Sequence, residues 1–149
     1  LKREGIYTAI ETSGFFDYAH FKDKLLPWLD LIYYDIKLID DEASKQYCGQ
    51  SNQRILDNFC RLLTDAHIPI IPRIPLIPGI TTTEENLRGI AAFLDKHGVK
   101  SCALMPYNPL WSDKLRKLGL TPLYQHSGFM TPAEQAACAR HFTKPHSSS

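Results

Sequence analysis

Four short groups of residues have the types needed to grip a charged ligand: Glu11-Thr12-Ser13, Asp35-x-Lys37, Arg73, and Tyr107-Asn108. Carboxylates hold an ammonium or a cation, while Lys and Arg hold a carboxylate. Together they suit a zwitterion. A network of ion pairs that satisfies charges without any ligand uses the same residue types; for any single residue the two readings weigh equally, and for four strand ends together ligand binding is the better reading. Asp35 and Lys37 are two apart, and on a strand they share one face. They close the run Leu29-Asp30-Leu31-Ile32-Tyr33-Tyr34-Asp35-Ile36-Lys37. A run this apolar predicts a strand buried on both faces, as in a parallel sheet covered by helices. Charges at the exit of such a strand are costly unless paired or put to use.

The elements that must position these residues alternate. A β-rich run over 6–10 ends at Glu11-Thr12-Ser13-Gly14, and helical spacing follows over 15–29, disturbed by Pro27. The buried strand spans 31–36. Asp40 or Asp41 caps a short helix through Tyr47 that stops at Gly49. Ser51 is an N-cap candidate for a long helix with Ile55, Leu56, Phe59, Leu62 and Leu63 on one face. With Asn52 and Arg54, the same helix start could bind an anion, although such a sequence is more often only a cap. The apolar run 68–77 carries Pro69, Pro72 and Pro75, which predicts an edge strand or a barrel rim. Thr82 and Glu85 match a capping box for the next helix, which ends at Gly98. A strand over 99–105, a basic loop over 111–128 and a final helix opening at Thr131-Pro132-Ala133-Glu134 complete the chain. The order βα, βα(α), βα, βα predicts an α/β fold of about four parallel strands with flanking helices. It is read as a single domain over 1–149 with a frayed tail over 143–149. In such a sheet the four polar groups lie at the same rim, where α/β sheets and barrels bind ligands.

Composition narrows the function. The 149 residues carry a net charge of +1 with Lys and Arg dispersed among Asp and Glu, which argues against a nucleic-acid or membrane-surface partner. No apolar run suits a bilayer span and no signal-peptide pattern opens the chain, so a cytoplasmic protein is expected. The first residue is Leu rather than Met, as in a fragment or a processed product. Cys48, Cys60, Cys102 and Cys138 are widely spaced and read as reduced thiols. The six histidines lack metal-ligand spacing; His67 and His97 fall at helix C-termini, where the dipole accounts for them. None of G-x-S-x-G, G-x-x-x-x-G-K and G-x-G-x-x-G occurs, so hydrolase and nucleotide-triphosphate readings have no support.

Five motifs in register carry a resemblance: Glu11-Thr12-Ser13-Gly14, Asp35-Ile36-Lys37, Gly49-x-Ser51-Asn52-x-Arg54, Arg73-x-Pro75-x-Ile77-Pro78-Gly79, and Met105-Pro106-Tyr107-Asn108. Over about 6–142 the chain resembles the C-terminal two-thirds of the glycyl-radical-enzyme activating enzymes, the family of pyruvate formate-lyase activating enzyme. The resemblance implies a partial (β/α) barrel of radical S-adenosylmethionine type. It also implies an iron–sulfur oxidoreductase whose 5′-deoxyadenosyl radical takes a hydrogen from a glycine of a partner enzyme. By position, Glu11, Thr12, Asp35, Lys37 and Asn108 would bind S-adenosylmethionine, with Lys37 on its carboxylate. Glu11, Thr12 and Asp35 would flank a possible monovalent cation, and Arg73 would face the substrate glycine. Implied partners are a glycyl-radical enzyme and an electron donor such as flavodoxin or ferredoxin.

The chain departs from the family pattern. Glu11 stands where Asp is usual, and Asn108 stands where relatives often carry a His. The C-x-x-x-C-x-x-C loop that holds the 4Fe-4S cluster, and a Gly-Gly-Glu segment, do not occur in these residues. The four cysteines do not match the loop. The resemblance therefore implies that S-adenosylmethionine and the cluster serve the full-length protein. The cluster is not expected on this chain, no residue here is assigned as catalytic, and the chain alone is expected to be inactive. The alternative is a non-catalytic module that docks a partner or completes a split activase.

Overall fold

A computed structural model describes residues 4–110, 117–119, 121, 124, 126 and 128–143. Four strands, β1 (Ala9–Thr12), β2 (Leu31–Asp35), β3 (Ile70–Leu76) and β4 (Ala103–Pro106), form one sheet in sequential order. All three pairings are parallel. Between them lie α1 (Tyr18–Lys24), a 3-10 turn (Leu26–Trp28), α2 (Asp41–Cys48), α3 (Gln53–Asp65) and α4 (Glu84–Lys96); α5 (Pro132–Ala139) follows. Most of the expected basic loop over 111–128 and most of the tail expected over 143–149 lie outside the described residues.

Sequential order decides which face of the sheet is covered. Crossovers of one hand, always stepping in the same direction, place the connecting helices α1 to α4 on the same side. Ile32, Tyr34, Ile36, Ile74 and Leu76 are accordingly buried with Phe59 of α3 and Leu87, Ile90 and Leu94 of α4. Tyr34 and Phe59 pack with ring centroids 5.1 Å apart, and Phe59 reaches Phe93 at 5.9 Å. Each such side chain contributes about 1.5–3 kcal/mol by leaving water. The opposite face stays open, and Leu31, Tyr33, Asp35, Ile71 and Arg73 on it are only half-buried. The expectation that β2 is buried on both faces is therefore corrected. Apolar side chains on both sides of a strand do not require helices on both sides.

The prolines of β3 are a second correction, because β3 is interior rather than an edge. The N–H groups of Ile32 and Ile36 donate to the carbonyls of Pro69 and Arg73, so odd-numbered β3 residues direct their backbone toward β2. Pro75 faces β2 beyond its last pair, Asp35 with Arg73. Pro72 faces β4 before its first pair, Arg73 with Ala103. Each missing N–H thus falls where a ladder has run out.

Local signals set most of the helix ends. Asp40 caps α2 by accepting from Ala43 N–H, and Gly49 ends it with φ 76°. Thr131 and Glu134 form the expected capping box. Three ends differ. The helix expected over 15–29 starts at Tyr18 with Asp17 as cap, and Pro27 turns its end into the 3-10 turn. Thr83, not Thr82, caps α4 by accepting from Asn86 N–H, while Thr82 Oγ1 accepts from Gly79 N–H in the preceding turn. The α3 cap is Asn52, with Ser51 Oγ accepting from Gln53 N–H. β1 and β4 are shorter than expected because 6–8 and 99–102 make no ladder.

Three buried asparagines hold the connections that leave the strands. Asn58 Nδ2 donates to the carbonyls of Gly14 and Phe16, after β1. Asn52 Nδ2 donates to Leu38 and Ile39, after β2. Asn86 Nδ2 donates to Lys37 and Thr81, and its Oδ1 accepts from Ile39 N–H.

Two substitutions test this frame by urea denaturation. A Cβ on Gly14, at φ 81°, would stand 2.0 Å from the Tyr34 hydroxyl, which itself donates to the Ile55 carbonyl. Gly14→Ala is expected to cost about 2–4 kcal/mol from backbone strain plus overpacking; a loss below about 1 kcal/mol would contradict the packing. Asn86→Ala is expected to cost about 2–4 kcal/mol by stranding buried backbone groups, and wild-type stability would show that those groups find other partners.

Candidate functional site

The charged residues meet on the open face. Arg73 and Asp35 are cross-strand partners, and Glu11 pairs in register with Tyr33, two residues before Asp35 on the same face. Arg73 Nε donates to Asp35 Oδ1 at 2.8 Å and its Nη1 donates to Glu11 Oε1 at 2.9 Å. The guanidinium also lies 5.5 Å from the centroid of the Tyr33 ring. One cation therefore serves two carboxylates on neighbouring strands. Hydrogen bonds to Asp35 first, and then to Glu11, hold the Arg73 guanidinium above its usual range.

The two pairs are unequal. The Arg73 and Asp35 side chains are 13% and 19% exposed, whereas Glu11 is 65% exposed. Water screens the outer pair, so it contributes at most about 1 kcal/mol. The inner pair is shielded and holds the geometry.

Lys37 lies just beyond, where β2 runs into α2. It lines a cavity of about 300 Å³ with Ser13, Asp35, Ser44, Tyr47, Gln50 and Asn52. Its backbone carbonyl is held by Asn86, and its ammonium makes no ion pair with a described carboxylate. Asp35 borders both the cavity and the Arg73 pair, which joins the two parts of the site.

Other expected residues are placed apart. Thr12 stands on the helical side of β1, where Oγ1 accepts from Gly14 N–H at 3.0 Å. It thus faces away from Glu11 and Asp35. Asn108 is exposed, and its Oδ1 accepts from Leu110 N–H at 2.9 Å rather than joining the charged group. The anion at the start of α3 is a residue of the chain itself: Asp41 Oδ1 accepts from Ser51 Oγ at 2.6 Å and from Asn52 N–H at 3.1 Å. Lys45 and then Ser51 hold the Asp41 carboxyl below its usual range. Among the described residues no three of His, Cys, Asp and Glu gather where a metal ion could sit, and no helix is long and apolar enough to cross a membrane.

Tyr33 carries no sequence motif that marks it for the site. Its place beneath Arg73 follows from strand register, and only its odd-numbered parity with Asp35 hinted at a shared face. The aromatic Tyr47 wall of the Lys37 cavity carried no sequence signal.

A four-stranded parallel sheet with flanking helices and charged groups gathered on its open face defines an α/β domain. No family model matches the chain. It is 40% identical over 116 residues to the isethionate sulfite-lyase activating enzyme of Nitratidesulfovibrio vulgaris, covering 76% of this chain and 36% of the relative. It is 32% identical over 136 residues to the trans-4-hydroxy-L-proline dehydratase activating enzyme of Clostridioides difficile, covering 90% and 44%. It is 32% identical over 120 residues to the pyruvate formate-lyase-activating enzyme of Clostridium pasteurianum, covering 80% and 49%. The chain thus spans half or less of the length of these relatives. The crystal structure of a domain of pyruvate-formate lyase-activating enzyme from Bacteroides vulgatus superposes with a TM-score of 0.64 at 24% identity, over 95% of this chain and 78% of that one, which shows a common fold. The chain is a homologue of the glycyl-radical-enzyme activating enzymes.

The inequality of the two ion pairs is testable by urea denaturation. Asp35→Asn is expected to cost about 1–3 kcal/mol because it leaves a shielded guanidinium short of its inner partner. Glu11→Gln should cost less than about 1 kcal/mol. The reverse ranking would show that Glu11, not Asp35, anchors Arg73.

Proposed function

We propose that this chain is the part of a radical S-adenosylmethionine activase that binds the methionyl end of the cofactor and faces a partner glycyl-radical enzyme. One observation carries the reading. Two carboxylates, Glu11 and Asp35, share one guanidinium on the open face, while the half-buried Lys37 ammonium beside them has no ion-pair partner among the described residues. That donor set suits an amino-acid zwitterion. Lys37 would hold its carboxylate, and Asp35 and Glu11 its ammonium. The relatives, all named as activating enzymes, support the class.

When bound, S-adenosylmethionine supplies the group that abstracts a hydrogen atom. The residues of this chain orient it. Asp35 and Lys37 leave one strand in fixed relation, and Asn86 and Asn52 hold the backbone between that strand and α2. Arg73 neutralises the carboxylates and presents a flat guanidinium to the open side, where a partner's glycine would approach. With Thr12 turned to the helical side and Asn108 bonded to Leu110 N–H, the cation and the adenosyl end would rely on other contacts.

The 4Fe-4S cluster does not fit these residues. It needs thiolates that converge, and the described cysteines are dispersed between α2, α3, the segment just before β4, and α5. Cluster ligands would come from other residues of the full enzyme, as would the surface for flavodoxin or ferredoxin. The chain alone is then a binding unit without radical chemistry.

Calorimetry with S-adenosylmethionine tests the reading. The chain is expected to bind weakly, and Lys37→Ala and Asp35→Ala should each weaken binding at least about tenfold, the loss of one charge-assisted contact. No heat at millimolar ligand, or equal binding by both variants, would remove the site from these residues.

A further inference from the structure

On the helical side of the sheet, away from Arg73, a thiol and an imidazole are paired. Cys60 of α3 and His97, which caps the C-terminus of α4, stand with Sγ 3.3 Å from Nε2. The other ring nitrogen, Nδ1, lies 2.8 Å from the Phe93 carbonyl oxygen. A carbonyl only accepts, so Nδ1 carries the ring proton. In the neutral ring Nε2 is then the acceptor, and it is aimed at the Cys60 S–H. This is the arrangement that lets a histidine take a proton from an attacking thiol.

Packing fixes the imidazole. The Phe93 and His97 rings lie 4.6 Å apart, and Phe93 is itself packed on Phe59. Both residues are half-buried rather than sealed in the core. The remaining cysteines lack such a base: no described histidine hydrogen-bonds Cys48, Cys102 or Cys138.

We propose that Cys60 and His97 form a thiol–imidazole dyad at which small-molecule disulfides modify this chain, leaving a mixed disulfide on Cys60. The Cys60 sulfur attacks one sulfur of the reagent as its proton passes to Nε2. The reagent's S–S bond breaks and a new one forms to Cys60. The departing thiolate takes the proton back from the imidazolium and leaves as a thiol, so no other oxidant is needed.

The surroundings explain why the base is required. Burial and the Asp57 carboxylate push the Cys60 thiol up, against a smaller pull from Lys96. Tyr34, facing it from β2, is kept neutral by burial and donates to the Ile55 carbonyl. The free thiolate is therefore scarce at neutral pH, and reactivity depends on proton transfer to His97. An exposed cysteine such as Cys48 has no such dependence.

Oxidised glutathione is the probe, with site-resolved mass spectrometry of the whole chain from pH 5.5 to 9.5. The Cys60 rate is expected to show a rise at lower pH than the ionisation of the raised thiol itself. In His97→Gln that rise should vanish, with the pH 7.5 rate at Cys60 falling at least about tenfold and the Cys48 rate unchanged. A native-chain profile with a single thiol ionisation overturns the dyad without recourse to any variant. Equal Cys60 rates in native and His97→Gln chains, with Cys138 still protected, overturn it as well. None of these outcomes depends on S-adenosylmethionine binding.

Discussion

The geometry of the charged face depends on hydrogen bonds made by one side chain, Asn86. A carboxamide offers two donors and an acceptor in a fixed plane. Here it spends them on Lys37, Thr81 and Ile39, backbone groups from two separate connections. Those connections leave β2 and β3, the strands that carry Asp35 and Arg73. Without such partners their polar backbone would be buried unsatisfied, or the loops would move outward to water. Asn52 and Asn58 repeat the device around it. The connections that follow β1, β2 and β3 are thus tied to the helices by side-chain hydrogen bonds, which preorganises a site built on them.

The second constraint is topological. Four strands wound in sequence put the connecting helices α1 to α4 on one face and, among the described residues, leave the other to its own side chains. That open face is where Glu11, Tyr33, Asp35 and Arg73 stand in adjacent rows. Arg73 links all four strands, through Glu11 of β1, Asp35 of β2, its own place on β3 and its pairing with Ala103 of β4. Its guanidinium lets carboxylates approach one another on neighbouring strands where bare like charges would repel. The homologous activating enzymes are longer than this chain, and the open face is the surface on which additional residues of such an enzyme would have room to act.

Chemistry of a different kind occupies the covered side. The aromatic series Tyr34, Phe59, Phe93 and His97 runs from β2 through α3 to the end of α4. It ties the core of the sheet to the Cys60 thiol. The two faces are thus separated by a single sheet, with the charged residues on odd-numbered positions of β2 and β3 and the aromatic core on even-numbered ones.

Much of this was legible in the residue order. Alternating strand and helix patterns specified a parallel α/β sheet, because helix caps such as Asp40, Gly49 and Thr131 act locally and hydrophobic period is a property of each segment alone. The charge types at the strand ends, and Asp35 with Lys37 on one face, were equally readable. Tertiary structure decided the rest. Which carboxylates share Arg73, that Thr12 turns to the helical side, that Asp41 fills the start of α3, and that Cys60 meets His97 are all contacts between distant segments. They are set by strand register and by which face the helices cover, and neither quantity is carried by the residues of one segment.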